Sequence, residues 1–131
     1  MMIKKRVLIV EDQAITAFDE SEIMRELGYE VTGIAMSAEE AIIQSHRDLP
    51  DLILMDIKLS GEMNGLQATL VIQERDDIPV IYVTAYGDKT VSVSGNLSIP
   101  NGIGYIVKPF NKEELKNEVE RVLCLSSSEN L

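Results

Sequence analysis

Short apolar runs alternate with longer amphipathic stretches along this chain. An uninterrupted run of four or five apolar residues is typical of a strand that is buried on both faces of a parallel sheet. The stretches between the runs are long enough to hold crossover helices. The pattern therefore predicts a βαβ-type α/β domain, with strands at residues 6–10, 30–35, 52–56, 80–84 and 104–107.

Helices are predicted in the first three connecting stretches. The first covers about residues 14–27 and is followed by Gly28 as a stop signal; its apolar residues recur at three- or four-residue spacing and are Ala14, Ala17, Phe18, Met24 and Leu27. The second opens at Ser37 with Glu40 three residues later, which is a capping box, and runs to about residue 47. A third covers about residues 66–75.

The later part of the chain is less regular. A fifth helix is predicted from Asn111, with Glu114 at the capping position, to about residue 125. The fourth crossover, residues 88–98, is rich in serine and β-branched residues, which are poor helix formers, so we expect a short or frayed fourth helix there. We expect one domain over residues 1–125, and residues 126–131 as a disordered polar tail or the start of a linker.

Composition narrows the class of protein. The chain has 131 residues, enough for one domain with a sizeable core, and a formal net charge of -10. Such an acidic surface repels phosphate backbones, which argues against direct nucleic-acid binding. The single cysteine, Cys124, excludes an internal disulfide, and its apolar helix position predicts a packing role. No apolar stretch approaches the length that spans a bilayer, so we expect a cytoplasmic protein.

Carboxylates follow two of the predicted strands. Glu11 and Asp12 come after the first strand, and Asp56 ends the third. In an open α/β sheet, ligands bind outside the carboxyl ends of the strands. Three carboxylates at one such crevice suit a hard divalent cation, and Mg²⁺ is the cation that commonly combines carboxylates with phosphate oxygens. The alternative interpretation is that Glu11 and Asp12 merely cap the first helix.

A nucleophile and two anion-binding groups lie at the same predicted edge. Asp56 is the candidate nucleophile, because carboxylates form acyl phosphates. Thr84 and Lys108 stand at the ends of the fourth and fifth predicted strands and offer a hydroxyl and an amine to phosphoryl oxygens. Each taken alone is better read as an ordinary surface lysine or strand-end threonine, and only the set of residues favours a phosphoryl-transfer site.

The ordered motifs of the chain resemble the receiver domain of two-component response regulators. They span about residues 4 to 124 and read Val7-Leu8-Ile9-Val10-Glu11-Asp12, Leu52-Ile53-Leu54-Met55-Asp56-Ile57, Gly65, Val83-Thr84-Ala85 and Gly104-Tyr105-Ile106-Val107-Lys108-Pro109-Phe110. This resemblance implies a flavodoxin-like, doubly wound, five-stranded parallel sheet of order 2-1-3-4-5. It also implies a phosphorylation-dependent signalling switch that catalyses its own phosphotransfer and slow dephosphorylation.

The same resemblance implies a role for each site residue. Asp56 would accept a phosphoryl group from a sensor histidine kinase or phosphotransfer protein. Mg²⁺ would be bound by the side chains of Glu11, Asp12 and Asp56 and by the backbone carbonyl of Lys58. Thr84 and Lys108 would bind the phosphoryl oxygens, and Tyr105 would be a switch that moves with Thr84. Lys58 and Tyr86 would line the phosphorylation site. The Lys108–Pro109 peptide bond would be cis.

Several points stay open on the sequence alone. The loop after Asp56 lacks the proline common in the family and is one residue longer, which puts its geometry in doubt. A phosphatase with an aspartyl-phosphate intermediate is one alternative, but such enzymes commonly carry a second acid at the position of Lys58. A second alternative is a non-phosphorylated interaction module on the same fold. Such a module would be expected to have lost residues of the phosphorylation pocket, and none of the five is missing here. The output partner is unknown, and a homodimer through the fourth helix, fifth strand and fifth helix is an option.

Overall fold

A single five-stranded parallel sheet forms the centre of the domain. The computed structural model describes residues 3–85 and 104–128. Its strands are ordered β2-β1-β3-β4-β5, as expected, and every neighbouring pair is parallel. The elements are β1 (Arg6–Val10), α1 (Ala14–Glu26), β2 (Glu30–Ala35), α2 (Ala38–Asp48), β3 (Leu52–Asp56), α3 (Gly65–Arg75), β4 (Val80–Ala85), β5 (Gly104–Lys108) and α4 (Lys112–Ser128). All five predicted strands are present, and β4 and β5 each extend one residue further than predicted.

Helices cover both faces of the sheet, because alternate strand residues point to opposite sides. On the α2/α3 face, Leu8, Ile53 and Met55 pack with Ala41 and Ile72. The α1/α4 face is formed by the intervening strand residues and by α1 and α4 (Ile9, Leu54, Ile106, Met24 and Val119 are among its members). All five residues of β3 are buried. Burial on both faces explains why the sequence of β3 shows no polar alternation.

Helix N-termini follow the predicted capping signals. The Glu40 amide donates to the Ser37 hydroxyl oxygen at 3.1 Å. At α4, the Glu114 amide donates to the Asn111 side chain at 2.8 Å, and the Glu114 carboxylate accepts from the Asn111 amide at 3.3 Å. One capping box was not predicted from the sequence. At the start of α3 the Asn64 side chain accepts the Gln67 amide, and the Gln67 side chain accepts the Asn64 amide in return. That helix therefore begins at Gly65, one residue before the predicted start.

The predicted apolar face of the first helix is only partly confirmed. Ala17 and Met24 are buried as expected, whereas Ala14 and Phe18 are exposed and Leu27 is the C-cap rather than part of α1. The other buried residues of α1 are Glu20 and Ser21. The four buried residues have regular helical spacing, but two of them are polar, so a search for apolar residues alone does not find the whole stripe.

Two further expectations need correction near the C-terminus. Cys124 is exposed and does not pack in the core. The buried residues Leu115, Val119 and Val122 define the inner stripe of α4, and Cys124 lies off that stripe. The helix also continues to Ser128 rather than ending near residue 125. The predicted fourth crossover, residues 88–98, lies outside the described residues. Within the described part of the chain, no helix has both the length and the apolar character needed to cross a bilayer.

Candidate functional site

Three strands of the α1/α4 face end in a charged residue at the same edge of the sheet. Glu11, Asp56 and Lys108 lie two residues beyond Ile9, Leu54 and Ile106, which belong to the apolar core of that face. Strand alternation carries each charged side chain to the same side as its apolar predecessor. The core of this face therefore ends in ionisable groups.

The three predicted carboxylates come together. Ligand oxygens of Glu11, Asp12 and Asp56 all lie within 4.8 Å of one another. Glu11 and Asp56 are buried and Asp12 is half-buried. Oxygen ligands at such spacing fit a hard divalent cation such as Mg²⁺. The cluster therefore matches the predicted donor set, with the Lys58 carbonyl as a further candidate on the adjoining loop.

Lys108 is the cation that the structure brings to this cluster. Its Nζ donates to Glu11 Oε1 at 2.8 Å and lies 3.9 Å from Asp56 Oδ2. The primary partner is thus Glu11, with Asp56 at the edge of ion-pair range. The Lys108–Pro109 peptide bond is cis, as the resemblance implied.

The carboxylates of the cluster differ in their proton affinity. Burial raises the pKa of Asp56 to about 7, and the neighbouring Glu11 carboxyl adds to the rise. Hydrogen bonds from Ser60 lower the pKa of Asp12. The two pKa values move in opposite directions because burial disfavours the charged form of a carboxyl, whereas donated hydrogen bonds favour it. Asp56 therefore holds a proton more readily than Asp12 does.

Ser60 is a site residue that the sequence analysis missed. Both its backbone amide, at 3.0 Å, and its hydroxyl donate to Asp12 Oδ2. The two residues are 48 positions apart, so no local pattern predicts the contact. The only signal was the unusual loop after Asp56, which the sequence analysis noted without assigning a contact.

Glu20 is a second acidic residue that was missed. It is 4% exposed on α1, and its Oε2 has no hydrogen-bond partner in the described part of the chain. Burial raises the pKa of Glu20 to about 8, and the nearby Glu11 adds to the rise. Glu20 and Lys108 both line a cleft of about 700 Å³ between α1 and the segment that carries Pro109 and Phe110.

The loop after Asp56 is held close to the end of β3. The Lys58 amide donates to Asp56 Oδ1 at 3.3 Å, and the Gly65 amide donates to the Ile57 carbonyl at 2.9 Å. A Cβ at Gly65 would collide with the backbone carbonyl of Asp56. Only glycine therefore lets the first turn of α3 approach the backbone of Asp56 this closely.

Thr84 and Tyr105 lie on the β4 and β5 side of the site. Thr84 is buried at the end of β4, and its hydroxyl donates to the Ala85 carbonyl at 3.4 Å. Tyr105 on β5 is 40% exposed, and its amide donates to Glu118 Oε2 at 3.0 Å. Lys58 is exposed, whereas Tyr86 lies outside the described residues.

Helix capping does not account for Glu11 and Asp12. The N-cap residue of α1 is Gln13, and its side chain makes no capping hydrogen bond. Glu11 Oε2 accepts only the Gln13 amide in this region, at 3.1 Å, while its other oxygen binds Lys108. The alternative interpretation of these carboxylates as caps is therefore not favoured.

Comparison with known proteins identifies the class of this domain. The family model for the response regulator receiver domain matches residues 7–120. The chain therefore belongs to the receiver domain family of two-component response regulators, and domains of this family generally act as non-enzymatic switches.

Individual relatives differ in how much of them the chain covers. It is 31% identical over 118 residues to the transcriptional regulatory protein PdtaR of Mycobacterium tuberculosis, covering 90% of this chain and 56% of the relative. It is 33% identical to the chemotaxis protein CheY of Thermotoga maritima, covering 90% of this chain and 97% of that protein. Among the first curated relatives, PdtaR and the regulator PhyR of Methylorubrum extorquens, the chain spans only about half of the length.

Solved structures support the same fold. The N-terminal domain of a response regulator/sensory box/GGDEF 3-domain protein from Carboxydothermus hydrogenoformans has a TM-score of 0.85 and 35% identity, covering 97% of this chain and 100% of that one. The anti-anti-sigma factor PhyR from Bartonella quintana has a TM-score of 0.85 and 32% identity, covering 99% of this chain and 51% of that one.

Proposed function

We propose that this receiver domain is a switch controlled by phosphorylation of Asp56. The observation that supports the proposal most directly is the group of charges around that residue. Asp56 has Glu11 and Asp12 within 4.8 Å and the Lys108 amine at 3.9 Å, so its buried carboxylate has both a candidate cation site and a fixed positive charge beside it. Such a set of groups serves phosphoryl transfer, in which charge develops on the transferred oxygens.

The proposed reaction uses groups of the chain itself. An oxygen of the Asp56 carboxylate bonds to phosphorus as the bond between phosphorus and the donor nitrogen of a phosphohistidine breaks. Lys108 and the Thr84 hydroxyl bind oxygens of the transferred group. Because Lys108 Nζ lies 3.9 Å from Asp56 Oδ2, it needs to move only a short distance to reach a group on Asp56. A later step, slow hydrolysis, removes the group: water attacks phosphorus, the bond between phosphorus and the Asp56 oxygen breaks, and inorganic phosphate leaves as the carboxylate is restored.

Mg²⁺ is the cofactor that we propose for the site. Glu11, Asp12, Asp56 and the backbone carbonyl of Lys58 would hold it, and all of them are hard oxygen donors. When bound, the cation supplies positive charge that offsets the clustered carboxylates and the phosphoryl oxygens. This charge would favour the ionised, nucleophilic form of Asp56, whose pKa burial raises to about 7 in the structure.

The partners follow from this role. We propose that a sensor histidine kinase or a phosphotransfer protein donates the phosphoryl group in the cytoplasm. Phosphorylation would add about -1.5 to -2 charges at the site. That charge would draw in Thr84 and Tyr105 and change the surface around β5 and α4, where an output partner, an attached domain or a second copy of the chain would bind.

Phosphate incorporation tests the central claim. The protein is incubated with a small phosphodonor and Mg²⁺, and intact mass is measured. We expect one added phosphate in the parent, none in Asp56→Asn, and parental labelling in Asp77→Asn, a matched change at an exposed aspartate in the loop before β4. Equal labelling of Asp56→Asn and parent would refute the assignment of the phosphoacceptor.

Lys58 and Tyr86 are proposed to shield the phosphorylated residue. Both side chains are large. Lys58 lies two residues after Asp56 and Tyr86 two residues after Thr84, so they can obstruct the water that must attack in line with phosphorus. Tyr86→Ala should lose its phosphate several-fold faster, since a factor of ten requires only about 1.4 kcal/mol. Identical decay of the two phosphoproteins in Mg²⁺ would remove Tyr86 from this role.

A further inference from the structure

Ser60 makes two of the contacts that hold the candidate metal site together. It is exposed on the loop between β3 and α3, where neither its amide nor its hydroxyl is needed for a helix or a strand. Both groups nevertheless donate to Asp12, and both converge on the same oxygen, Oδ2. Two donors from different directions fix the orientation of a carboxylate far better than one.

The same contacts also fix the backbone of the loop. The Lys58 amide donates to Asp56 at 3.3 Å, and the Ser60 amide donates to Asp12 at 3.0 Å. Residues 58–60 therefore form a short bridge between two carboxylates of the cluster. The Lys58 carbonyl, the proposed backbone ligand, belongs to this bridge. A proline at position 60 would lack both donors, whereas serine supplies both.

We propose that Ser60 is a positioning residue of the metal site, orienting Asp12 and the Lys58 carbonyl for a divalent cation. The inference rests on the proposed Mg²⁺ site. Residues that hydrogen-bond a ligating carboxylate set its direction, and losing one typically costs about 10- to 100-fold in metal affinity.

Mg²⁺ titration of two variants of Ser60 tests the inference. Binding is followed by the amide resonances of the loop and by the rise in melting temperature with Mg²⁺ concentration. Ser60→Ala removes the hydroxyl and keeps the amide, so we expect affinity to fall about 10-fold or more. Ser60→Thr keeps both donors and should bind within about 3-fold of the parent.

A stability control separates positioning from folding. Ser37→Ala removes the N-cap of α2, whose hydroxyl accepts the Glu40 amide. It should lower stability by about 1 kcal/mol and leave Mg²⁺ affinity unchanged. Asp12→Ala should abolish the Mg²⁺ response. A parent that shows no Mg²⁺ response overturns the metal site and this inference together. A parent that binds Mg²⁺, with Ser60→Ala equal to it, overturns the role of Ser60 alone.

Discussion

The two faces of the sheet end differently at the edge that carries the site. On the α2/α3 face the core stays apolar to its end, where Ile57 and Leu59 are buried and α3 packs against the backbone of Asp56 through Gly65. On the α1/α4 face the core ends in four ionisable groups, which are Glu11, Glu20, Asp56 and Lys108. One face therefore fixes the backbone position of Asp56, and the other surrounds its carboxyl with charge.

This difference separates stability from chemistry within one small domain. Burying carboxyl groups costs free energy unless they are paired or keep their protons. The raised pKa values of Glu20 and Asp56 are a direct sign of that cost. The apolar face carries no such cost and contributes favourable burial. Changes to the two faces should therefore affect stability in opposite ways.

The largest expected effect is at Gly65 on the apolar face. Gly65→Ala places a Cβ against the Asp56 carbonyl and the Ile57 backbone, neither of which is a flexible side-chain end. We expect a loss of about 3 kcal/mol or more in the free energy of unfolding, since overpacking against backbone leaves little room to relax. Urea denaturation measures the loss.

A matched glycine in the same loop isolates the steric effect. Gly61 has φ +107°, but nothing lies within 4 Å of a Cβ built there. Gly61→Ala should cost only about 1–2 kcal/mol from backbone strain. If the two variants lost the same free energy, the close approach of α3 to Asp56 would not be the reason for glycine at position 65.

The second effect concerns the buried carboxyl of Glu20 and depends on pH. The pKa of Glu20 is raised from 4.5 to about 8 in the folded protein, so the folded state keeps a proton that the unfolded state loses between these values. Stability of the parent should therefore fall as pH rises from about 4.5 towards 8. Glu20→Gln has no proton to lose, so its decline should be shallower and its advantage over the parent should grow with pH.

Urea denaturation at pH 5, 6.5 and 8 in the presence of a chelator measures this difference. We expect the gain of Glu20→Gln over the parent to increase by about 1 kcal/mol or more across the series, against an upper limit of about 1.4 kcal/mol per pH unit for a single group. Asp56 leaves a residual slope, since its pKa is also raised. Glu22→Gln, an exposed change on the same helix, should track the parent. A pH-independent difference between Glu20→Gln and parent would contradict a raised pKa at Glu20.

The same contrast explains which parts of the structure were predictable from the sequence. The strands were found because β1, β3 and β4 are buried on both faces and read as apolar runs. The capping serine and asparagine of α2 and α4 were found because capping is local in sequence. The candidate cation site, the candidate nucleophile and the anion-binding groups were inferred from the polar residues at the strand ends. The sheet order and the remaining site roles came from the family resemblance.

The errors cluster on the charged face, where function departs from simple patterning. α1 buries Glu20 and Ser21 and exposes Phe18, so apolar periodicity identified only part of the buried stripe. A clue was present in the spacing, because Ala17 and Met24 require buried residues between them on the same face. The contact between Ser60 and Asp12 joins residues far apart in sequence and depends on loop conformation, which residue patterns do not specify.

The smallest expected effect is at an ion pair that joins α1 and α4, the two helices of the charged face. Lys112 Nζ on α4 lies 3.0 Å from Glu26 Oε2 on α1, and both side chains are at least half exposed. Exposed pairs of this kind contribute about 0–1 kcal/mol, because water screens the attraction and ordering two long side chains costs entropy. Lys112→Met should therefore lower stability by less than about 1 kcal/mol at low salt, and raising the salt concentration should shrink the difference further. Urea denaturation of both proteins in about 0.05 M and 0.5 M salt measures this. A loss above about 2 kcal/mol that persisted at high salt would contradict this expectation, because it would mean that the pair stabilises the charged face far more than an exposed ion pair does.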